Sequence, residues 1–150
     1  MAFIFVVDDE EDIRELLRYN LIQDGHRVST FENGSLCLKA VELEKPDLIL
    51  LDVMMPMLDG IEVCEAIKNN EENEDIIICF LTARSEDYSQ IAGLEAGGDD
   101  YISKPIKPKV LVSKVKALLR RLKEDEAKSD VLNVGNIEVN REEYKIIQGG

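Results

Sequence analysis

The chain has 150 residues, 45% of them apolar, and a formal net charge of −13. That length fits one ordinary domain plus a short extra piece, with enough apolar residues to build a core. The charge argues against nucleic-acid binding by this chain alone, because phosphate contacts need clustered Lys and Arg, and no apolar run nears the roughly 18–20 residues of a membrane span.

The opening run Phe3-Ile4-Phe5-Val6-Val7 is too short, and lacks the basic lead, to be the core of a signal peptide, so it reads as a buried strand. Ile13, Leu16, Leu17 and Leu21 then recur at helical spacing until Asp24-Gly25. Arg27–Phe31 forms a weaker strand, and Leu48–Leu51 a second unbroken apolar one. Asp59-Gly60 precedes a helix with Val63, Cys64 and Ile67 inward. Ile76–Leu81 is the fourth strand, Ala96-Gly97-Gly98 ends the fourth helix, and Asp100–Ser103 is the fifth strand. Leu111, Val115, Leu118 and Leu122 stripe a fifth helix. Five such βα units predict a parallel sheet covered on both faces, a three-layer α/β sandwich over residues 1–122. Residues 123–130 are charged and either prolong the last helix or act as a linker. From 131 to 150, Leu132/Val134, Ile137/Val139 and Tyr144/Ile146 alternate as a short, truncated β segment, too small to be a domain. Cys37, Cys64 and Cys79 sit in apolar stretches without metal-ligand spacing, as expected of buried thiols in a reducing compartment.

In open parallel sheets, ligands sit beyond the carboxyl ends of the strands. There the sequence places Asp8-Asp9 after the first strand, Asp52 after the third, Thr82-Ala83 after the fourth and Lys104-Pro105 after the fifth. Singly, each has an ordinary explanation: acids at a helix start, a turn residue, a strand end, a surface charge. Together they put three carboxylates, a hydroxyl and an ammonium on one rim. Two carboxylates about 4 Å apart repel by roughly 4 kcal/mol at an effective dielectric near 20, so their meeting calls for a cation or a proton. Mg2+ suits one or two carboxylates, waters and a phosphate. A carboxylate is also a competent nucleophile toward phosphorus, with Lys104 and the cation offsetting charge on the phosphoryl oxygens.

The strings Val6-Val7-Asp8-Asp9-Glu10, Leu51-Asp52-Val53-Met54-Met55-Pro56 with Asp59-Gly60, Leu81-Thr82-Ala83-Arg84 and Asp99-Asp100-Tyr101-Ile102-Ser103-Lys104-Pro105 resemble, in order and spacing, the receiver domains of two-component response regulators. Within them the chain looks most similar to the OmpR/PhoB subfamily of transcription factors. The resemblance implies a flavodoxin-like fold with strand order 2-1-3-4-5 and five helices. It implies that Asp52 accepts a phosphoryl group from a sensor histidine kinase. Mg2+ or Mn2+ would be held by Asp9, Asp52 and the Met54 carbonyl, with Asp8 acting mostly through metal-bound water. Lys104 would pair with one phosphoryl oxygen and Thr82 donate to another, coupling to Tyr101 as a switch, while the small Ala83 leaves access and Met54 and Arg84 flank the site. The Lys104–Pro105 bond resembles the family's cis peptide.

Signalling would run through a homodimer built on the fourth helix, fifth strand and fifth helix. Asp99 would pair with Arg121 and Asp100 with Lys114, around an apolar patch of Ile91, Leu94 and Val112. A third pair is lost, because Gln90 and Val110 stand at its positions. The segment 131–150 resembles the first strands of a winged-helix effector domain, so DNA would be reached only through that missing part, in the cytoplasm and without a membrane. Two other readings stay open. A magnesium-dependent phosphatase with an aspartyl nucleophile would want an acid two residues after it, where Met54 stands; a docking module would never accept phosphate.

Overall fold

A computed structural model describes the backbone of residues 1–83 and 92–135 and the side chains of 1–83 and 92–121. The five strands expected of the sheet form: β1 (Phe3–Val7), β2 (Arg27–Phe31), β3 (Leu48–Asp52), β4 (Ile77–Ala83) and β5 (Asp100–Lys104). They make one parallel sheet of order β2-β1-β3-β4-β5, the flavodoxin-like order. Asp52, Thr82 and Lys104 are the last or next-to-last residues of their strands rather than loop residues. The helices are α1 (Glu11–Gln23), α2 (Gly34–Leu43), α3 (Gly60–Lys68), a helical turn over 92–95, here α4, and α5 (Pro108–Gly135).

The three inner strands β1, β3 and β4 are nearly all apolar, as a sheet covered on both sides demands, whereas the edge strands β2 and β5 carry polar residues. Phe5, Val7, Ile49, Leu51, Ile78 and Phe80 pack on one face with Cys37 and Val41 of α2 and Val63, Cys64 and Ile67 of α3. The alternate residues Ile4, Val6, Leu48, Leu50, Cys79 and Leu81 are just as buried, which covers the other face. All three cysteines are free and buried. Burial pushes the Cys37 thiol up to about 12 and Cys64 up to about 11, so neither is a thiolate near neutral pH.

Helix ends follow local chemistry. Asp59 caps α3 by accepting from the Glu62 N–H at 2.9 Å, and the Glu62 carboxylate accepts from the Asp59 N–H at 3.0 Å, a reciprocal capping box. Asn33 accepts from the Leu36 N–H to start α2. Gly25 and Gly97, at φ 90° and 113°, take the left-handed turns that follow α1 and α4.

At the amino end of the sheet two aspartates repeat one device. The Asp47 carboxylate accepts from the Phe3 N–H at 2.9 Å while its own N–H donates to the Phe3 carbonyl, tying the entry of β3 to β1. Asp99 does the same between the entry of β5 and Ile78 of β4, at 2.9 and 2.7 Å. Each extends the ladder by one residue and satisfies a strand-start N–H.

The last helix departs from expectation. Residues 123–130 are helical rather than a linker, and the helix runs to Gly135, so no strand forms at Leu132–Val134. Between Lys123 and Val134 there is no Gly or Pro to stop a helix already under way, and Lys123, Glu124, Glu126, Ala127 and Lys128 favour its continuation over the apolar alternation. Ile137, Val139, Tyr144 and Ile146 lie outside the described residues. The chain separates into two compact units, Met1–Val115, which holds the sheet, and Lys116–Gly150.

Candidate functional site

Strand register gathers the site. Val7 pairs with Leu51, so the next residues, Asp8 and Asp52, leave neighbouring strands side by side. Thr82 pairs with Ser103 and Ala83 with Lys104 on the other flank. Asp8 and Asp52 are almost fully buried, as is Thr82. The Lys104 ammonium lies 3.1 Å from Asp8 Oδ2 and 3.4 Å from Asp52 Oδ1, joining three strands at one point. The Lys104–Pro105 peptide is cis, as the resemblance implied.

The backbone around Asp52 is tightly held. Its Oδ1 accepts from the Met54 N–H at 3.2 Å, and the Gly60 N–H donates to the Val53 carbonyl at 3.0 Å. A Cβ on Gly60 would overlap the Asp52 carbonyl, so only glycine lets α3 begin this close to β3. Met57, in the same loop, is fully exposed and takes φ 71°, a left-handed conformation that costs a non-glycine residue free energy. On the β1 side, Asp8 Oδ1 accepts from the Glu10 N–H at 2.9 Å, and Arg14 Nη1 donates to the Asp8 carbonyl at 2.8 Å.

Charge is unbalanced here. Burial raises the Asp52 carboxyl to about 7; the Asp8 charge adds to the rise, while Lys104 and the Met54 N–H oppose it. Burial also raises Asp8, against the Glu10 N–H and Lys104. For Lys104, burial pulls downward, but Asp52 and Asp8 outweigh it and the ammonium is held above its ordinary value. Asp8 Oδ2 is buried, faces Lys104 and takes no well-aligned hydrogen bond. Carboxylate oxygens of Asp8, Asp9 and Glu10 lie within 4.8 Å of one another. An open buried acceptor, three clustered acids and a carboxyl raised by burial and by like charge form a hard oxygen donor set that suits a small divalent cation.

Asp8, Asp9, Asp52, Thr82 and Lys104, singled out in the sequence, thus occupy one rim. Met54 exposes its side chain, and its N–H donates to Asp52. Tyr101 is half-buried against the core, with the Lys114 ammonium 5.5 Å from its ring centre. Of the residues expected at a dimer face, Leu94 is exposed and Val112 half-buried. Asp100 and Lys114 pair at 3.1 Å within one chain, and Asp99 spends one carboxylate oxygen on β4. Arg121 is exposed and belongs to the second unit, while Ile91, Gln90 and Arg84 lie outside the described residues. The sequence reading missed Glu10, whose carboxylate reaches within 3.6 Å of Lys104 Nζ. In the sequence it stands only as the last residue of the string Val6–Glu10, directly after the two aspartates.

A family profile described as the response regulator receiver domain matches residues 4–116. The alkaline phosphatase synthesis transcriptional regulatory protein PhoP of Bacillus subtilis is 42% identical over 95% of this chain and 62% of its own length. The DNA-binding response regulator MtrA of Mycobacterium tuberculosis is 37% identical over 98% of this chain and 62% of its own length. The chain therefore spans less than two thirds of these relatives. Among solved structures, the signal receiver domain of a signal transduction histidine kinase from Syntrophus aciditrophicus is similar with a TM-score of 0.76 and 35% identity, over 82% of this chain and 93% of that one.

Proposed function

The chain belongs to the response regulator receiver domain family, of the OmpR/PhoB type, and from that premise we propose that it is a phosphorylation switch whose acceptor is Asp52. The donor is the phosphohistidine of a sensor histidine kinase. A carboxylate oxygen of Asp52 attacks phosphorus, the P–N bond breaks, and its electron pair leaves with the imidazole, which takes up a proton. Lys104, 3.4 Å from Asp52 already, pairs with a phosphoryl oxygen, and the Thr82 hydroxyl donates to another. Asp8, Asp9, Asp52 and the Met54 carbonyl would hold Mg2+ or Mn2+, which would supply positive charge against the phosphoryl oxygens.

The observation that carries this reading is the meeting of two buried carboxylates, Asp8 and Asp52, on one ammonium at the strand ends. Only extra positive charge, or protons, relieves that arrangement. Met54 stands where a turnover phosphatase would want its general acid, which favours a regulatory phosphoprotein over an enzyme acting on external esters. Incubation with acetyl phosphate and Mg2+ is expected to add one phosphoryl group to the intact mass. The Asp52→Asn variant and a chelated sample should gain none; a native chain that stays unmodified would sink the proposal.

Output follows from the charge that phosphorylation adds. Thr82 and Tyr101 carry it to the face of α4, β5 and α5, where Leu94 and Val112 with Ile91 offer apolar contact to a second copy. For Asp100 and Lys114 to bridge two chains, their pair within one chain must open. Beyond α5, the relatives' further length is where a DNA-binding output domain belongs, acting on transcription in the cytoplasm; no described helix is long and apolar enough to cross a membrane. Gel filtration with beryllofluoride is expected to show a dimer, and a particle still monomeric at tens of micromolar would refute this face.

A further inference from the structure

Glu10 occupies the N-cap of α1 with extended backbone, φ −95° and ψ 119°, yet its side chain makes no capping hydrogen bond. A residue that capped would stabilise the helix start. The carboxylate instead lies 3.6 Å from Lys104 Nζ, the ammonium already shared by Asp8 and Asp52. An ammonium has three N–H donors, and three carboxylates now surround this one. They are not equivalent: the Glu10 side chain is 62% exposed, against 0% for Asp8 and 3% for Asp52. Glu10 alone of the three can withdraw into water at little cost, whereas a buried carboxylate that loses its partner is left uncompensated.

We propose that Glu10 is a competing counter-ion for Lys104, one that an incoming phosphoryl group must displace. It is a positioning residue: it holds the ammonium at the mouth of the pocket and weakens the capture of dianions there. The inference rests on the reading that Lys104 receives a phosphoryl oxygen, and it adds the group that oxygen competes with.

The test uses the whole chain and the Glu10→Gln variant, each saturated with Mg2+ and titrated with inorganic phosphate, while NMR follows the Lys104 ε-methylene. The variant is expected to bind phosphate about two- to fivefold more tightly at low salt, the size an exposed ion pair carries. The gap should close at high salt, where exposed charges are screened; a change in folding alone would not show that salt dependence. Equal or weaker binding by the variant, or a gain unaffected by salt, overturns the proposal. Acetyl phosphate labelling of the same two proteins separates the two ideas. A native chain that gains no phosphoryl mass defeats the switch, with the phosphate titration still deciding on Glu10. A labelled native chain whose phosphate affinity is untouched by Glu10→Gln defeats the role of Glu10 and leaves the switch standing.

Discussion

The two ends of the sheet use the same amino acid in opposite ways. At the amino end, Asp47 and Asp99 each accept a backbone N–H at 2.9 Å and return their own N–H to the same strand. At the carboxyl end, Asp8 and Asp52 are deeper, face one another's charge, and share one ammonium. All four accept one backbone N–H, but those at the amino end come from a neighbouring strand and tie strands together, whereas those at the carboxyl end come from the same loop, two residues on, and leave two buried like charges side by side. Stability and chemistry are thereby separated along strands of five to seven residues.

This contrast can be broken by mutation, beginning with the largest effect. Asp47→Ala strands the Phe3 N–H and should cost about 2 kcal/mol in urea unfolding, as expected for a lost charge-assisted bond to a half-buried donor. Asp52→Asn should do the reverse, making the metal-free protein more stable by about 1–2 kcal/mol at pH 8. The sign follows from linkage. A carboxyl held at about 7 in the fold, against about 3.9 unfolded, resists ionising, so the native chain loses stability as pH rises from about 4 through 7. The advantage of Asn should therefore fade below pH 4, and an advantage constant with pH would mean that charge is not its cause. Mg2+ should raise the melting temperature of the native chain at pH 8 more than at pH 5, where protons compete for the same oxygens. The smallest effect concerns the loop: Met57→Gly should stabilise by about 1 kcal/mol by relieving the left-handed backbone at φ 71°. No gain would show that the carboxyl end stores no strain there.

Much of this was legible in the residues themselves. Short unbroken apolar runs such as Leu48–Leu51, alternating with helical stripes, read as parallel strands buried on both faces, and residues at the carboxyl ends of parallel strands share a rim, which is why Asp8, Asp52 and Lys104 could be placed together. What could not be read depends on side-chain direction and on competing local preferences. Nothing in the string Asp8-Asp9-Glu10 says that Glu10 turns to Lys104 and not to its own helix. The alternation at Leu132 and Val134 suggested a strand, but residues joined to an existing helix extend it more cheaply than a new strand nucleates. Asp99 and Asp100 read as partners of Arg121 and Lys114 across a dimer; the sequence does not say that within one chain Asp99 also holds β4 and Asp100 already pairs with Lys114.

The closeness of Gly60 to the Asp52 carbonyl sets terms for anyone rewiring this protein. The outward residues of α3, such as Glu65 and Ala66, face solvent and are free for redesign toward new contacts. Its first residue is not: even a methyl group at position 60 would shove β3 aside. A library that spares Gly60 and the capping Glu62 while randomising such outward positions should keep the Asp52 carboxylate in register.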